Sequence, residues 1–220
     1  MLAIELVTDS MPPVHTSDSI QKVVDRMAEF RVRHLPIVNQ EQFLGLIADT
    51  DFIEEPDYQV PIGSLALSLI NPYVLEQQHI YDVMRLFYEQ QLTVIPVLRA
   101  DKNYIGLISI NSMVEYFAQL TSSAEPGGII VLEIGNKDNS LAHMAQIIES
   151  DNAQILSSYV RSFPDSTRLE ITIKVNKMDI SNITASFLRY GYDIKATFNH
   201  AHNDDGSMDR YDSLMNYLNI

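Results

Sequence analysis

Two stretches of this chain, "RVRHLPIVNQEQFLGLIADTDF" (residues 31–52) and "QLTVIPVLRADKNYIGLISINSMV" (residues 91–114), carry one pattern twice. Val14, Ile20, Val23 and Pro36 recur as Val74, Ile80, Val83 and Pro96, each 60 positions on (96 − 36 = 60). Gly45 recurs as Gly106, 61 on, so the loop between has gained one residue. A register kept from Val14 to Gly45 marks an internal repeat. A unit of about 60 residues buries only about 60% of its unfolded surface and is marginal alone. The duplication therefore predicts two copies that share one core across an approximate twofold. Equivalent residues of both copies then line the cleft between them.

Each copy parses alike. A short extended piece at Val14 or Val74 leads into a helix, "SIQKVVDRMAEF" or "HIYDVMRLFYEQ". Ile20, Val23, Val24 and Met27, like Ile80, Val83, Met84 and Phe87, follow the i, i+3, i+4, i+7 spacing of one helical face. Ser17 or Asp18 is the expected N-cap of the first helix. Two strands follow in each copy, "HLPIV" with "FLGLI" and "VIPVL" with "YIGLI". A short helix starting near Asp49 and near Asn111 closes each copy, giving an α/β pair of β-α-β-β-α repeats.

Charge narrows the partners. The formal net charge is −14 over 220 residues, so the chain repels phosphate backbones and generic nucleic-acid binding is not expected. Any bound anion must be held by a local cluster of donors working against that field. With no cysteine there is no disulfide, thiolate nucleophile or Cys-ligated metal, which fits a cytoplasmic protein. The opening "MLAIELVTDSMPP" has acids where a secretory leader has basic residues. No apolar run approaches the roughly 20 residues that span a bilayer, so no membrane partner is expected.

Catalytic signatures are equally scarce. His15, His34, His79 and His143 are scattered, and the chain has no GxGxxG, no phosphate loop ending in Lys and no HExxH. A non-enzyme is expected. "HAHNDD" (His200, His202, Asp204, Asp205) alternates imidazoles and carboxylates, but the nearby Gly206 and run of acids favour a solvated loop over a metal site.

"RHLPIV" with "FLGLIADTDF", then "VIPVL" with "YIGLISINSM", behind the lead-in "LVTDSMPPVHTSDSIQKVVDRMAEF", resembles a pair of cystathionine-β-synthase (CBS) domains over roughly residues 1–120. The resemblance implies a non-catalytic regulatory module that binds AMP, ADP, ATP or S-adenosylmethionine between its repeats. It implies ligand positions at Val14, Arg33, His34, Pro36 and Asp51 in the first copy, and Val74, Pro96, Ser109 and Ser112 in the second. In "GLIADTD" Ala48 replaces the family's phosphate-binding hydroxyl while Asp51 keeps the ribose-binding carboxylate. In "GLISINS" Ser109 keeps the hydroxyl and Ser112 replaces the carboxylate. Losing one hydrogen bond to a charged group costs about 1.5–3 kcal/mol. Arg33 and His34 stand where the family often sets cations against phosphate. The second copy offers Thr93 and Val94 there, so the anion site is one-sided. Arg33 has an alternative partner in Glu29, four residues back on its helix.

"QLTSSAEPGG" (residues 119–128) is small, polar and ends in Pro-Gly-Gly, a linker composition. Beyond it the patterns are a strand "IIVLEI", a helix with Leu141, Met144, Ala145 and Ile148 on one face, strands "AQILSSYVRSF" and "RLEITIKV", a helix ending at Gly191 and a strand "YDIKATFNH". That β-α-β-β-α-β order is ferredoxin-like and resembles an ACT domain, an α+β unit that often binds amino acids at subunit interfaces. The resemblance implies a ligand loop at Asn136, Asp138 and Asn139, and a homodimer. In layout the chain resembles the acetoin-utilisation accessory proteins of bacteria. The expected organisation is repeat 1 at 1–60, repeat 2 at 61–120, linker at 121–128 and ACT-like domain at 129–200. Residues 201–220 are expected to form an acidic loop and a helix with Met208, Tyr211, Met215 and Leu218 on one face. Two functions stay open: a ligand sensor acting through subunit or domain arrangement on a protein partner, or a constitutive dimerisation protein with degenerate ligand sites.

Overall fold

The computed structural model describes residues 1–8, 10–65, 69–135, 140–164 and 166–199. Asn136, Asp138 and Asn139, the "HAHNDD" cluster and the C-terminal amphipathic stretch lie outside the described residues. The chain divides into two compact units, with the break between Tyr116 and Phe117.

In the first unit α1 (Ile20–Phe30) buries Ile20, Val23 and Met27. Its N-cap is Ser19, whose Oγ accepts the Lys22 N–H at 3.3 Å, rather than Ser17 or Asp18. Asp18 instead accepts the His15 N–H at 2.9 Å and pairs with Lys22. β1 (His34–Asn39) and β2 (Gln42–Ala48) form an antiparallel hairpin with a bulge between Ile37 and Val38. The second copy repeats this with β3 (Val74–Leu75), α2 (Ile80–Gln90), β4 (Val94–Leu98) and β5 (Tyr104–Ser109). Its bulge falls between Val97 and Leu98, 60 residues on. Both helices end on a left-handed non-glycine residue, Arg31 at φ 54° and Gln91 at φ 53°, so even the strained corner is duplicated.

The copies close differently. α3 (Ile110–Leu120) follows β5, whereas β2 is followed by a single 3-10 turn at Asp49–Phe52, not the helix expected near Asp49. After that turn comes "IEEPDYQ", in which Pro56 forbids helical continuation. The second copy has no proline there.

The two copies are interlocked. Thr8, ahead of copy one, donates its N–H to Leu107 O of copy two at 3.0 Å. Ile70, ahead of copy two, accepts the Leu46 N–H of copy one at 2.9 Å. Leu46 and Leu107 are repeat equivalents (107 − 46 = 61), so each lead-in lies along the other copy's hairpin. Gly45 is required here: at φ +151° an added Cβ would stand 2.7 Å from Leu69 Cβ. One core gathers Ile20, Leu35 and Ile47 with Ile80, Ile95 and Ile108.

The second unit holds β6 (Gly128–Gly135), α4 (Leu141–Ser150), β7 (Ile155–Ser162), β8 (Arg168–Val175), α5 (Ser181–Arg189) and β9 (Asp193–Asn199). The four strands form one antiparallel sheet in the order β7-β8-β6-β9. Alternate residues Ile130, Leu132, Ile134, Ile171, Ile173 and Val175 are buried in one cluster with Met144, Ile147 and Ile148 of α4 and Ile183 and Phe187 of α5. Ile147 joins Met144 and Ile148 on the inward face, whereas Leu141, which periodicity placed there, sits at the first position of the helix and is 44% exposed. Gly191, at φ +79°, ends α5. Among the described residues no helix is long and apolar enough to cross a membrane.

Because the core is shared, Ile47→Ala should cost about 2–5 kcal/mol and lower amide protection at Ile108 in the other copy equally. Undisturbed exchange at Ile108 would mean that the copies fold separately.

Candidate functional site

Strand pairing brings the sequence-predicted polar positions to the ends of the two hairpins. His34 lies opposite Ala48, and Val94 opposite Ser109. One step further the Asp49 N–H donates to Arg33 O at 2.9 Å, and the Ile110 N–H to Thr93 O at 3.0 Å. The same closure is thus built twice.

Here the copies also meet. Thr93 Oγ1 accepts the backbone N–H of Arg33 at 3.0 Å and that of His34 at 3.1 Å. It also stands 3.1 Å from His34 Nδ1, to which the Thr93 N–H donates at 3.3 Å. A ring nitrogen that accepts from a peptide N–H carries no proton, so the neutral imidazole holds its hydrogen on Nε2. Burial pushes the His34 pKa below the ordinary histidine value; Asp49 and Asp51 oppose that shift and Arg33 reinforces it. Thr93 is the repeat equivalent of Arg33 (93 − 33 = 60). It fills the place that looks like a missing cation in the sequence.

Arg33 is committed locally. Its Nε and Nη2 donate to Asp49 Oδ2 and Oδ1 at 3.0 and 3.3 Å, so the partner is Asp49 rather than Glu29. The guanidinium holds the Asp49 carboxyl below the usual carboxylate range, and Asp49 raises Arg33 in return. Both side chains face solvent, at 63% and 44% exposure, where such a pair contributes little stability and can be exchanged. Sequence reasoning missed Asp49 because the ion pair spans the hairpin.

The remaining candidates divide into two kinds. Asp51 accepts the Ala48 N–H at 2.8 Å and so caps the 3-10 turn. Ser109 is buried; its Oγ accepts the Ser112 N–H at 3.0 Å and lies 2.9 Å from Ser112 Oγ. Pro36 and Pro96 are buried in β1 and β4, opposite Leu46 and Leu107. Val14 and Val74 are fully buried, and their backbones bridge Ile37 and Val97. These four shape the backbone, while Arg33, His34, Asp51, Ser109 and Ser112 supply the polar chemistry.

In the second unit a cavity of about 730 Å³ opens beside the ends of β6 and β9. Arg168 pairs there with Glu133 and lies 3.9 Å from Asp193, while His143 Nδ1 is 2.7 Å from Tyr192 Oη. Among the described residues no group of three or more His, Asp and Glu side chains could hold a metal ion.

The CBS domain family model matches residues 3–57 and 69–119. Similar solved structures include a CBS domain pair/ACT domain protein from Thermotoga maritima, with 22% identity, a TM-score of 0.48 and coverage of 53% of this chain and 96% of that one. CBSX2 in complex with AMP shows 21% identity, a TM-score of 0.46 and coverage of 54% and 96%. A Methanocaldococcus jannaschii protein shows 20%, 0.47, and 55% and 61%. The two matched stretches coincide with the two copies of the repeat. The N-terminal part of the chain is a tandem pair of CBS domains.

Proposed function

We propose that this is a regulatory, non-catalytic protein whose CBS pair senses an adenosyl-type small molecule where the two repeats meet. The observation that carries the reading is the convergence of Arg33, His34, Thr93 and Asp49 at the repeat junction. Ser109 ends the equivalent hairpin. Arg33 is the cation of this group, held by an exposed and exchangeable pair with Asp49, and anion binding by a chain of net charge −14 needs such a local cation. Sensing requires that the ligand favour one arrangement of subunits or domains over another. The second unit is inferred to be an ACT-type ferredoxin-like domain that pairs two copies. Its β-α-β-β-α-β order and the central places of its first and third strands support this. A second reading, constitutive dimerisation with degenerate sites, is favoured by Asp51, Ser109 and Ser112 each being engaged in local caps.

Thermal shift of the full chain against AMP, ADP, ATP and S-adenosylmethionine separates the two. A true ligand at about 100 times its dissociation constant adds roughly 2.7 kcal/mol. Asp51→Asn keeps an acceptor for the Ala48 N–H and should still remove the shift. A flat response to all four compounds would leave only the assembly role.

Arg33 yields a sharper expectation. If its guanidinium receives phosphate, Asp49 competes for it. Asp49→Asn should then tighten AMP, ADP and ATP about tenfold, on the scale of one hydrogen bond to a charged group, without helping phosphate-free S-adenosylmethionine. Equal changes for all four in calorimetry would remove Arg33 from phosphate recognition.

A further inference from the structure

We propose that the His34–Thr93 junction is a proton-operated latch between the two CBS repeats, shut with a neutral imidazole and released when Nδ1 takes up a proton. The latch needs no ligand and stands or falls apart from the sensing role. Its parts come from both copies: the Thr93 hydroxyl accepts two peptide N–H groups of copy one, and the Thr93 N–H points at His34 Nδ1. A protonated Nδ1 is a donor only. It would then face the Thr93 N–H donor to donor, and it could no longer accept the hydroxyl hydrogen.

The groups around His34 set the sign. On its own strand end stands Arg33, a cation; the turn after β2 brings Asp49 and Asp51; Ala48 opposite and Thr93 across the junction carry no charge. Half-burial outweighs the two carboxylates, so the folded value lies below the unfolded histidine value of about 6.5. Such a group contributes stability that is complete above about pH 6.5 and is lost as pH falls through the folded value. The latch is therefore shut at neutral pH and opens in acid. The far ends of the hairpins are tied separately, by the Tyr104 N–H to Glu41 O at 2.8 Å and the Gln42–Asn103 bridge. Release at His34 would part the starts of β1 and β4 while those tips stay joined.

The test uses the full chain without ligand. Imidazole ¹⁵N NMR across pH 5–8 (about the range in which histidine titrates) should show neutral His34 protonated on Nε2, with a midpoint below about 6.5. Hydrogen exchange, corrected for intrinsic rates, should show the Arg33, His34 and Thr93 amides losing about tenfold in protection together at that midpoint, the worth of about one hydrogen bond. The Tyr104 amide should hold. Thr93→Ser should keep the step. Thr93→Val should remove protection of the Arg33 and His34 amides at every pH. His34→Gln, which still offers an acceptor, should keep them protected with no step. A neutral ring protonated on Nδ1, amide protection flat through the His34 titration, or a step that survives in His34→Gln would each overturn the latch.

Discussion

Each CBS repeat completes its hairpin with backbone from the other. The Thr8 N–H reaches Leu107 O and the Leu46 N–H reaches Ile70 O, at positions the duplication makes equivalent. An edge strand left with bare N–H and C=O groups is a liability, and each exchanged lead-in satisfies one such group on the other copy's edge. The apolar faces behind those hairpins then merge into one core. A unit too small to bury itself is stabilised because its twin lies within the same chain, at high effective concentration. The later features of the first unit follow, because a shared core fixes where the starts of β1 and β4 meet.

At that meeting point the chemistry is asymmetric although the backbone is not. The duplicated closures, Asp49 N–H to Arg33 O and Ile110 N–H to Thr93 O, place Arg33 and Thr93 in equivalent positions. One brings a guanidinium turned to solvent and paired with Asp49, the other a hydroxyl turned to the opposite copy. Divergence after duplication thus left one side with charge and the other with a cross-repeat tie. A true twofold would have set two arginines close together near the axis, and like charges there repel.

The second unit obeys a simpler rule. Alternation along β6 and β8 sends Ile130, Leu132, Ile171 and Ile173 to the helices. The opposite face carries Ile129 and Val131 with Glu170, which pairs with Lys195 across the sheet. Lys174 is buried on that sheet and donates to Ser122 O. A buried ammonium needs such a partner.

Periodicity was enough to find the repeat, the long helices and the hairpins, because those depend on the local spacing of apolar residues and on turn residues; the matched bulges emerge only from the strand registers. It was enough for the β-α-β-β-α-β order too. Local spacing misplaced the N-cap, since Ser17, Asp18 and Ser19 are all competent and only the path of the preceding loop selects Ser19. It missed the loss of the first copy's closing helix, which is a single 3-10 turn at Asp49–Phe52 ahead of Pro56. The polar positions of the site were legible as residues but not as partners. Arg33 chose Asp49 across the hairpin instead of Glu29 along its helix, and Thr93 proved to be the tie to His34. The sequence by itself determined most of the inward-facing positions, because burial follows a one-dimensional period, although Met84 and Leu141 share that period and stay exposed. Only the tertiary structure decided which polar groups are already satisfied, because a hydrogen bond needs two atoms within about 3 Å and residues 60 positions apart come that close only through the fold.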